Sequence, residues 1–145
     1  MSVFFAAYVG LSTKATDEEL NEALTDEFGA IYSKDGRKLF AVPPELDGSY
    51  SIKEGTKIIC DWAFYDYSSL SSLVIPDSIT LIGEGAFMNC YSLKSLIIPD
   101  SVTSIGDRAF WGCRSLKSLV IPASVVIINA LRPQPSSRNY PQDGS

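Results

Sequence analysis

Apolar residues return in a fixed order every 23 positions along the middle of the chain. Ile52, Ile75, Ile98 and Ile121 share one place in this frame, and Ile59, Ile82, Ile105 and Ile128 share another. Phe64, Phe87 and Phe110 share a third, and Leu70, Leu93 and Leu116 a fourth. Residues 73–95 and 96–118 are identical at 15 of 23 positions without a gap; residues 50–72 fit with more drift, and 119–131 begin a fourth unit that soon stops matching. A unit this short cannot bury its apolar residues alone. Stacked on copies of itself it buries them in one continuous core, each place becoming a ladder of like side chains. Ala63, Ala86 and Ala109 stand beside the phenylalanines, where a small side chain lets the coil turn tightly.

Within a unit the pattern favours short extended pieces over long helices. Leu70-x-x-Leu73-x-Ile75 and its copies alternate as a strand does. Each copy ends at Pro76, Pro99 or Pro122, which has no N–H with which to continue a ladder. Asp77-Ser78 and Asp100-Ser101 favour turns, a second extended stretch follows, and Gly83 or Gly106 breaks it. The expectation is one principal strand per unit, stacked in parallel at a spacing of about 4.8 Å.

Upstream the period changes. Thr16 followed by Asp17, Glu18 and Glu19 is a capping-box start, and Leu20, Ala23, Leu24 and Phe28 fall on one helical face. A helix over 16–28 ended by Gly29 is therefore expected, laid over the first coil. Asp35-Gly36 between two short apolar runs predicts a hairpin over 31–42. Phe4 to Val9 form an apolar run read as a first strand or packed segment. No Lys or Arg precedes that run, so the positive start of a secretory signal is missing. The expected organisation is an N-terminal cap over 1–49, repeats over 50–131 and a disordered polar tail over 132–145.

The string L-x-x-L-x-I-P-D-S-V-T-x-I-G-x-x-A-F-x-x-C, carried by 73–95 and 96–118, resembles the BspA-type leucine-rich repeat. Residues 50–72 depart from it at Lys53, Cys60 and Tyr67, where the pattern has Pro, Gly and Cys. Residues 29–44 resemble the entry hairpin that opens such arrays. The resemblance implies an α/β repeat solenoid: a right-handed coil with a short parallel sheet on one face and a small helix and hairpin at its N-terminal end. It also implies a secreted or cell-surface protein used in adhesion and protein binding, with a protein or host-surface macromolecule as partner.

Composition narrows the chemistry. The net charge is −5, which disfavours nucleic acid and anionic membrane surfaces. No apolar run approaches the roughly 18 residues of a membrane span, so no membrane insertion is expected. There is no histidine, which removes the commonest general base and every Ser-His or Cys-His nucleophile pair. Neither an enzymatic reaction nor a cofactor nor a metal is expected.

Four sets of residues remain as candidates. Cys90 and Cys113 occupy one repeat position, and the residues leave open a buried hydrophobic role, a disulfide or a metal site; Cys60 has no mate in that frame. Asp61, Glu84 and Asp107 form a column, read as a solvated acidic face with a calcium column as the alternative. Trp62, Tyr65, Tyr67, Tyr91 and Trp111 lie off the core ladders and are expected to be exposed on the turn side, with Met88 in the column of Tyr65 and Trp111. Alternation on the strands points Val74, Ile97 and Val120 outward beside Ser72, Ser95 and Ser118, with Lys94, Lys117 and Arg114 nearby. The partner-binding candidates are thus Trp62, Tyr65, Tyr91, Trp111, Val74, Ile97, Val120, Lys94 and Lys117. An end-to-end association is a second reading, since the polar residues after 131 offer little to cover the last coil.

Overall fold

The computed structural model describes residues 12–45, 48–123 and 125–127. The strand expected near the N-terminus and the tail over 132–145 lie outside the described residues. Among the described residues one five-residue helix, α1 (Asp17–Asn21), precedes eleven short strands. The expected α/β character is therefore not found: the repeat consists of strands and turns. None of the described helices is long and apolar enough to cross a membrane.

The capping box forms as the sequence predicts. Glu19 N–H donates to Thr16 Oγ1 (3.0 Å) and Thr16 N–H to Glu19 Oε1 (2.9 Å). The helix nevertheless stops at Asn21 instead of running to residue 28, and it buries no residue. A local acceptor competes with the helix. The Asp26 carboxylate accepts the N–H groups of Phe28 and Ala30, each at 2.9 Å, which fixes a turn completed by Gly29 at φ +89°. The chain then pairs β1 (Leu24–Thr25) antiparallel with β2 (Ile31–Tyr32). Leu20, Leu24 and Phe28, expected as a buried helical face, stay 50%, 57% and 53% exposed.

The hairpin lies where Asp35-Gly36 places it. Asp35 accepts from Ser33 Oγ (2.7 Å) and from Arg37 N–H (3.0 Å), and β2 pairs antiparallel with β3 (Lys38–Ala41). β3 then pairs in parallel with β5 (Ile58–Ile59), the first strand of its kind in the repeats. A sheet follows in the order β1-β2-β3-β5-β7-β9-β11, with β7 at Leu81–Ile82, β9 at Ser104–Ile105 and β11 at Val126–Ile127. In the last pairing Ile105 meets Ile127 and Ser104 meets Val126. The 23-residue frame puts Ile128 there, so the fourth unit is one residue short before its second strand.

Each coil carries two strands, not one principal strand. The second set, β4 (Ser49–Ser51), β6 (Ser72–Val74), β8 (Ser95–Ile97) and β10 (Ser118–Val120), pairs in parallel as β4–β6 and β8–β10. The turn side is hydrogen-bonded from coil to coil as well. Phe64 N–H donates to Ala86 O and Phe87 N–H to Ala109 O, both at 2.8 Å. Two places in each coil take the left-handed conformation: Trp62, Gly85 and Arg108 at φ +63°, +59° and +58°, and Asp66, Asn89 and Gly112 at +63°, +64° and +82°. The coil geometry overrides residue preference at these places, since only two of the six are glycine.

Inside, the expected ladders form. Phe64 stacks on Phe87 at 5.1 Å and Phe87 on Phe110 at 5.4 Å between ring centroids. Ile59, Ile82 and Ile105, Leu70 and Leu93, and the three alanines are buried. A hydroxyl relay ties the hairpin to the first coil: Tyr32 OH and Tyr50 OH share a 2.6 Å hydrogen bond, and Tyr50 OH donates to Asp26 Oδ2 at 2.7 Å. Burial pushes both tyrosines above their ordinary pKa.

Candidate functional site

The cysteines serve packing. All three are free and buried. Cys90 Sγ donates to Phe64 O (3.2 Å) and Cys113 Sγ to Phe87 O (3.1 Å), each reaching back one coil. The adjacent Cys113 thiol and burial push Cys90 above the ordinary thiol pKa, and burial pushes Cys60 up to about 12. Cys60 and Cys90 are therefore poor nucleophiles. In the first coil Tyr67 takes the cysteine place, fully buried and stacked on Phe64 at 6.3 Å, which corrects its expected exposure.

The acidic column is taken up by structure. Asp61 Oδ1 accepts Glu84 N–H (2.8 Å), while Asp61 Oδ2 pairs with Lys14 Nζ (2.7 Å). Asp107 lies 3.8 Å from Arg108. Among the described residues no three potential ligands converge on a metal position.

The turn side carries a surface of unequal aromatics. Trp62 and Tyr65 are 42% and 46% exposed, edge to face at 5.7 Å. The Trp62 indole lies over Gly85, where a Cβ would overlap its six-membered ring. Trp62, Leu20, Ile31, Phe40 and the Lys14–Asp61 pair line a groove of about 380 Å³. Leu20 gave no signal as a surface residue, because the helical period assigned it inward. Tyr91 is half-buried beneath the Arg114 guanidinium, 4.7 Å from its ring centre. Trp111 is also half-buried, and its indole N–H is enclosed without a partner. Met88, in the same column, is half-buried too.

The strand side matches the alternation. Val74, Ile97 and Val120 project outward from successive coils, 56%, 70% and 54% exposed, with Ile97 and Val120 in register. Ser72, Ser95 and Ser118 form an exposed row beside them, and Ser51 continues the aliphatic column into the first coil. Lys94 and Lys117 stand exposed where the strands begin, and Asp77 and Asp100 where they end. The face is thus an aliphatic strip between a basic and an acidic border. The structure brings together two separate groups of candidates, the Trp62–Tyr65 pair on the turn side and the Val74–Ile97–Val120 row on the strand side.

The family model for the BspA-type leucine-rich repeat region matches residues 45–131, in six copies. The chain belongs to the BspA-type leucine-rich repeat family. Comparison with curated proteins finds no match. Among solved structures, this BspA-type chain is similar to the pneumococcal vaccine antigen PcpA, with 29% identity and a TM-score of 0.69 over 79% of this chain and 27% of that one. It is similar to a leucine-rich repeat protein from Eubacterium ventriosum, with 26% identity and a TM-score of 0.67 over 77% of this chain and 29% of the other. A leucine-rich cell surface protein from Faecalibacterium prausnitzii shares the fold at 24% identity, with a TM-score of 0.58 over 82% of this chain and 41% of that one. The chain therefore spans less than a third of the length of the first two.

Seen as a BspA-type coil, the first unit is the most altered. Tyr67 replaces the buried cysteine, and Cys60, at the place of Gly83 and Gly106, packs with Phe40 and Ile58 beneath Ala15 and Ala23. Lys38 is buried beside them, its ammonium donating to Lys14 O (3.0 Å) and paired with Glu19 Oε2 (3.1 Å). These changes fasten residues 13–23 across the outer face of the first coils.

Proposed function

We propose that this BspA-type chain is a non-catalytic binding and adhesion module that holds a protein or cell-surface macromolecule on its repeat surface. The observation that carries the reading is the row of Val74, Ile97 and Val120, one from each of three successive coils, three branched aliphatic side chains left in water on the strand side. A row of this kind costs solvation unless something covers it, and it is the type of contiguous patch that marks an interaction surface. The exposed Trp62–Tyr65 pair supports the same reading, since indole and phenol rings are enriched at the energetic centres of interfaces. PcpA, whose name describes a vaccine antigen, agrees with it.

The test is capture of partners from a host-cell surface extract by immobilised protein, compared with the Val74→Ser/Ile97→Ser/Val120→Ser variant and with Trp62→Ala. The expected outcome is loss of the captured species in at least one variant with the circular dichroism spectrum unchanged. Identical capture by the parent and both variants overturns the reading.

A further inference from the structure

Cys90 and Cys113 stand one coil apart in the core, and their thiols make matching contacts. Cys90 Sγ lies 3.2 Å from Phe64 O and Cys113 Sγ 3.1 Å from Phe87 O, so both side chains leave their coils in the same direction. The main chain beside them is fixed from coil to coil, with Asn89 N–H donating to Trp111 O at 2.8 Å. Two side chains related by one step of such a stack lie about 4.8 Å apart, at sulfur and Cβ alike.

That spacing excludes one use of the pair and suits another. A disulfide needs Cβ atoms about 3.5–4.5 Å apart and sulfurs at about 2.05 Å, so parallel side chains on neighbouring coils close one only if the main chain moves. Metal–thiolate bonds are about 2.3 Å long, so two of them in line span about 4.6 Å, close to one step of the stack. Among the described residues no third potential ligand joins the two sulfurs in a metal-binding group. Thiolate sulfur suits both Zn(II) and Cu(I), but zinc takes four ligands, whereas Cu(I) is satisfied by two in line.

The surroundings permit the exchange of protons for a cation. Phe64 O and Phe87 O each keep a second donor, Tyr67 N–H and Cys90 N–H at 3.2 Å, so loss of the thiol protons leaves neither carbonyl without a partner. In the coil before Cys90 the buried Tyr67 fills the cysteine place, which leaves a single gap between sulfurs among the described residues. Cys90 is fully buried and Cys113 is 7% exposed, so the cation reaches the pair from the Cys113 side.

We propose that Cys90 and Cys113 form a two-coordinate site for one soft monovalent cation, Cu(I), held in line between neighbouring coils. Each thiol gives its proton to solvent, one Cu–S bond forms at each sulfur, and the oxidation state of the metal does not change. The site is separate from the binding surface proposed above and does not depend on it.

The experiment titrates the full chain, reduced and anaerobic, with Cu(I) alone against a chromogenic Cu(I) chelator. One cation binds per chain, X-ray absorption shows two sulfur neighbours, and affinity rises with pH because protons are displaced. Cys90→Ala and Cys113→Ala each weaken binding by more than about 100-fold, since even changes behind the ligands cost about 10–100-fold. Cys60→Ala leaves the affinity unchanged. Circular dichroism checks that the variants fold; if one does not, the stoichiometry, sulfur count and thermal midpoint of the parent decide. Cu(I) raises that midpoint, because it binds the folded pair. A lowered midpoint, a third sulfur neighbour, affinity kept by either folded ladder variant or lost with folded Cys60→Ala, or Zn(II) bound as tightly as Cu(I) overturns the proposal. A Cys90–Cys113 disulfide formed by diamide in the folded chain overturns the spacing on which the site rests.

Discussion

Replacing Phe87 with alanine tests the stacked spine at its centre. The ring is 0% exposed and lies between Phe64 at 5.1 Å and Phe110 at 5.4 Å. Phe→Ala substitutions in cores cost about 3–5 kcal/mol, the higher values arising where the site cannot collapse. Collapse is opposed here, because the main chain on both sides is fixed to the neighbouring coils through Phe64 N–H to Ala86 O and Phe87 N–H to Ala109 O. The loss at Phe87 should therefore lie near the top, at about 4–5 kcal/mol, much of the roughly 5–15 kcal/mol that stabilises a domain. Phe110 stacks on one ring among the described residues and is slightly exposed, so Phe110→Ala should cost less, about 3 kcal/mol. Urea unfolding followed by far-UV circular dichroism gives both values by linear extrapolation, and an unchanged slope shows that the same surface is exposed on unfolding. A Phe87→Ala cost below about 2 kcal/mol, or one smaller than that of Phe110→Ala, would refute the argument that neighbouring coils hold the cavity open.

Four further outcomes follow from single observations. Thr56 sits at the buried place of Ile79 and Val102 with its hydroxyl unpartnered, so Thr56→Val should raise the urea midpoint by about 1–2 kcal/mol of stability; a lowered midpoint would show that the hydroxyl has a partner. Gly85→Ala forces a Cβ into the Trp62 ring at a φ of +59°, so it should destabilise by at least about 1 kcal/mol and red-shift tryptophan emission, and an unchanged spectrum would count against the packing. Burial alone would raise the Asp26 carboxyl, but hydrogen bonds from Tyr50 OH and from the Ala30 and Phe28 N–H groups outweigh it and hold the pKa below the ordinary value. Its contribution is complete above the unfolded value of about 3.9 and fades as pH falls through the lower folded value, so Asp26→Asn should flatten the loss of stability below pH about 4, and parallel acid curves would reject this. Ile52 N–H donates to Val74 O and Ile98 N–H to Val120 O, whereas Ile75 N–H makes no such bond to the next coil, so amide exchange should be slow at Ile52 and Ile98 and faster at Ile75; equal protection at the three amides would mean that the middle pair of strands is bonded as the others are.

Much of the repeat was legible because a 23-residue period imposes the same environment on each copy. Phe64, Phe87 and Phe110 had to meet, since a short apolar coil has no other way to leave water. The outward direction of Val74, Ile97 and Val120 followed from the twofold alternation of a strand. Tyr67 misled the exposure argument because a phenol ring suits either a surface or a core, and only its stacking on Phe64 in the first coil placed it in the core. Trp111 and Tyr91 likewise read as surface residues, yet each is half-covered by neighbours the period does not specify.

By itself the sequence determined the coil length, the identity of its buried ladders, the helix start at Thr16 and the turn at Asp35-Gly36, because each depends on residues close in the chain or one period apart. The tertiary structure alone decided where α1 stops, how Lys38 and the Tyr32–Tyr50–Asp26 relay fasten the N-terminal hairpin, and which neighbouring strands on the strand side are joined by a ladder. Those outcomes turn on competition between hydrogen-bonding partners that are distant in sequence, and their differences of a kcal/mol or so are settled only when the coils are stacked.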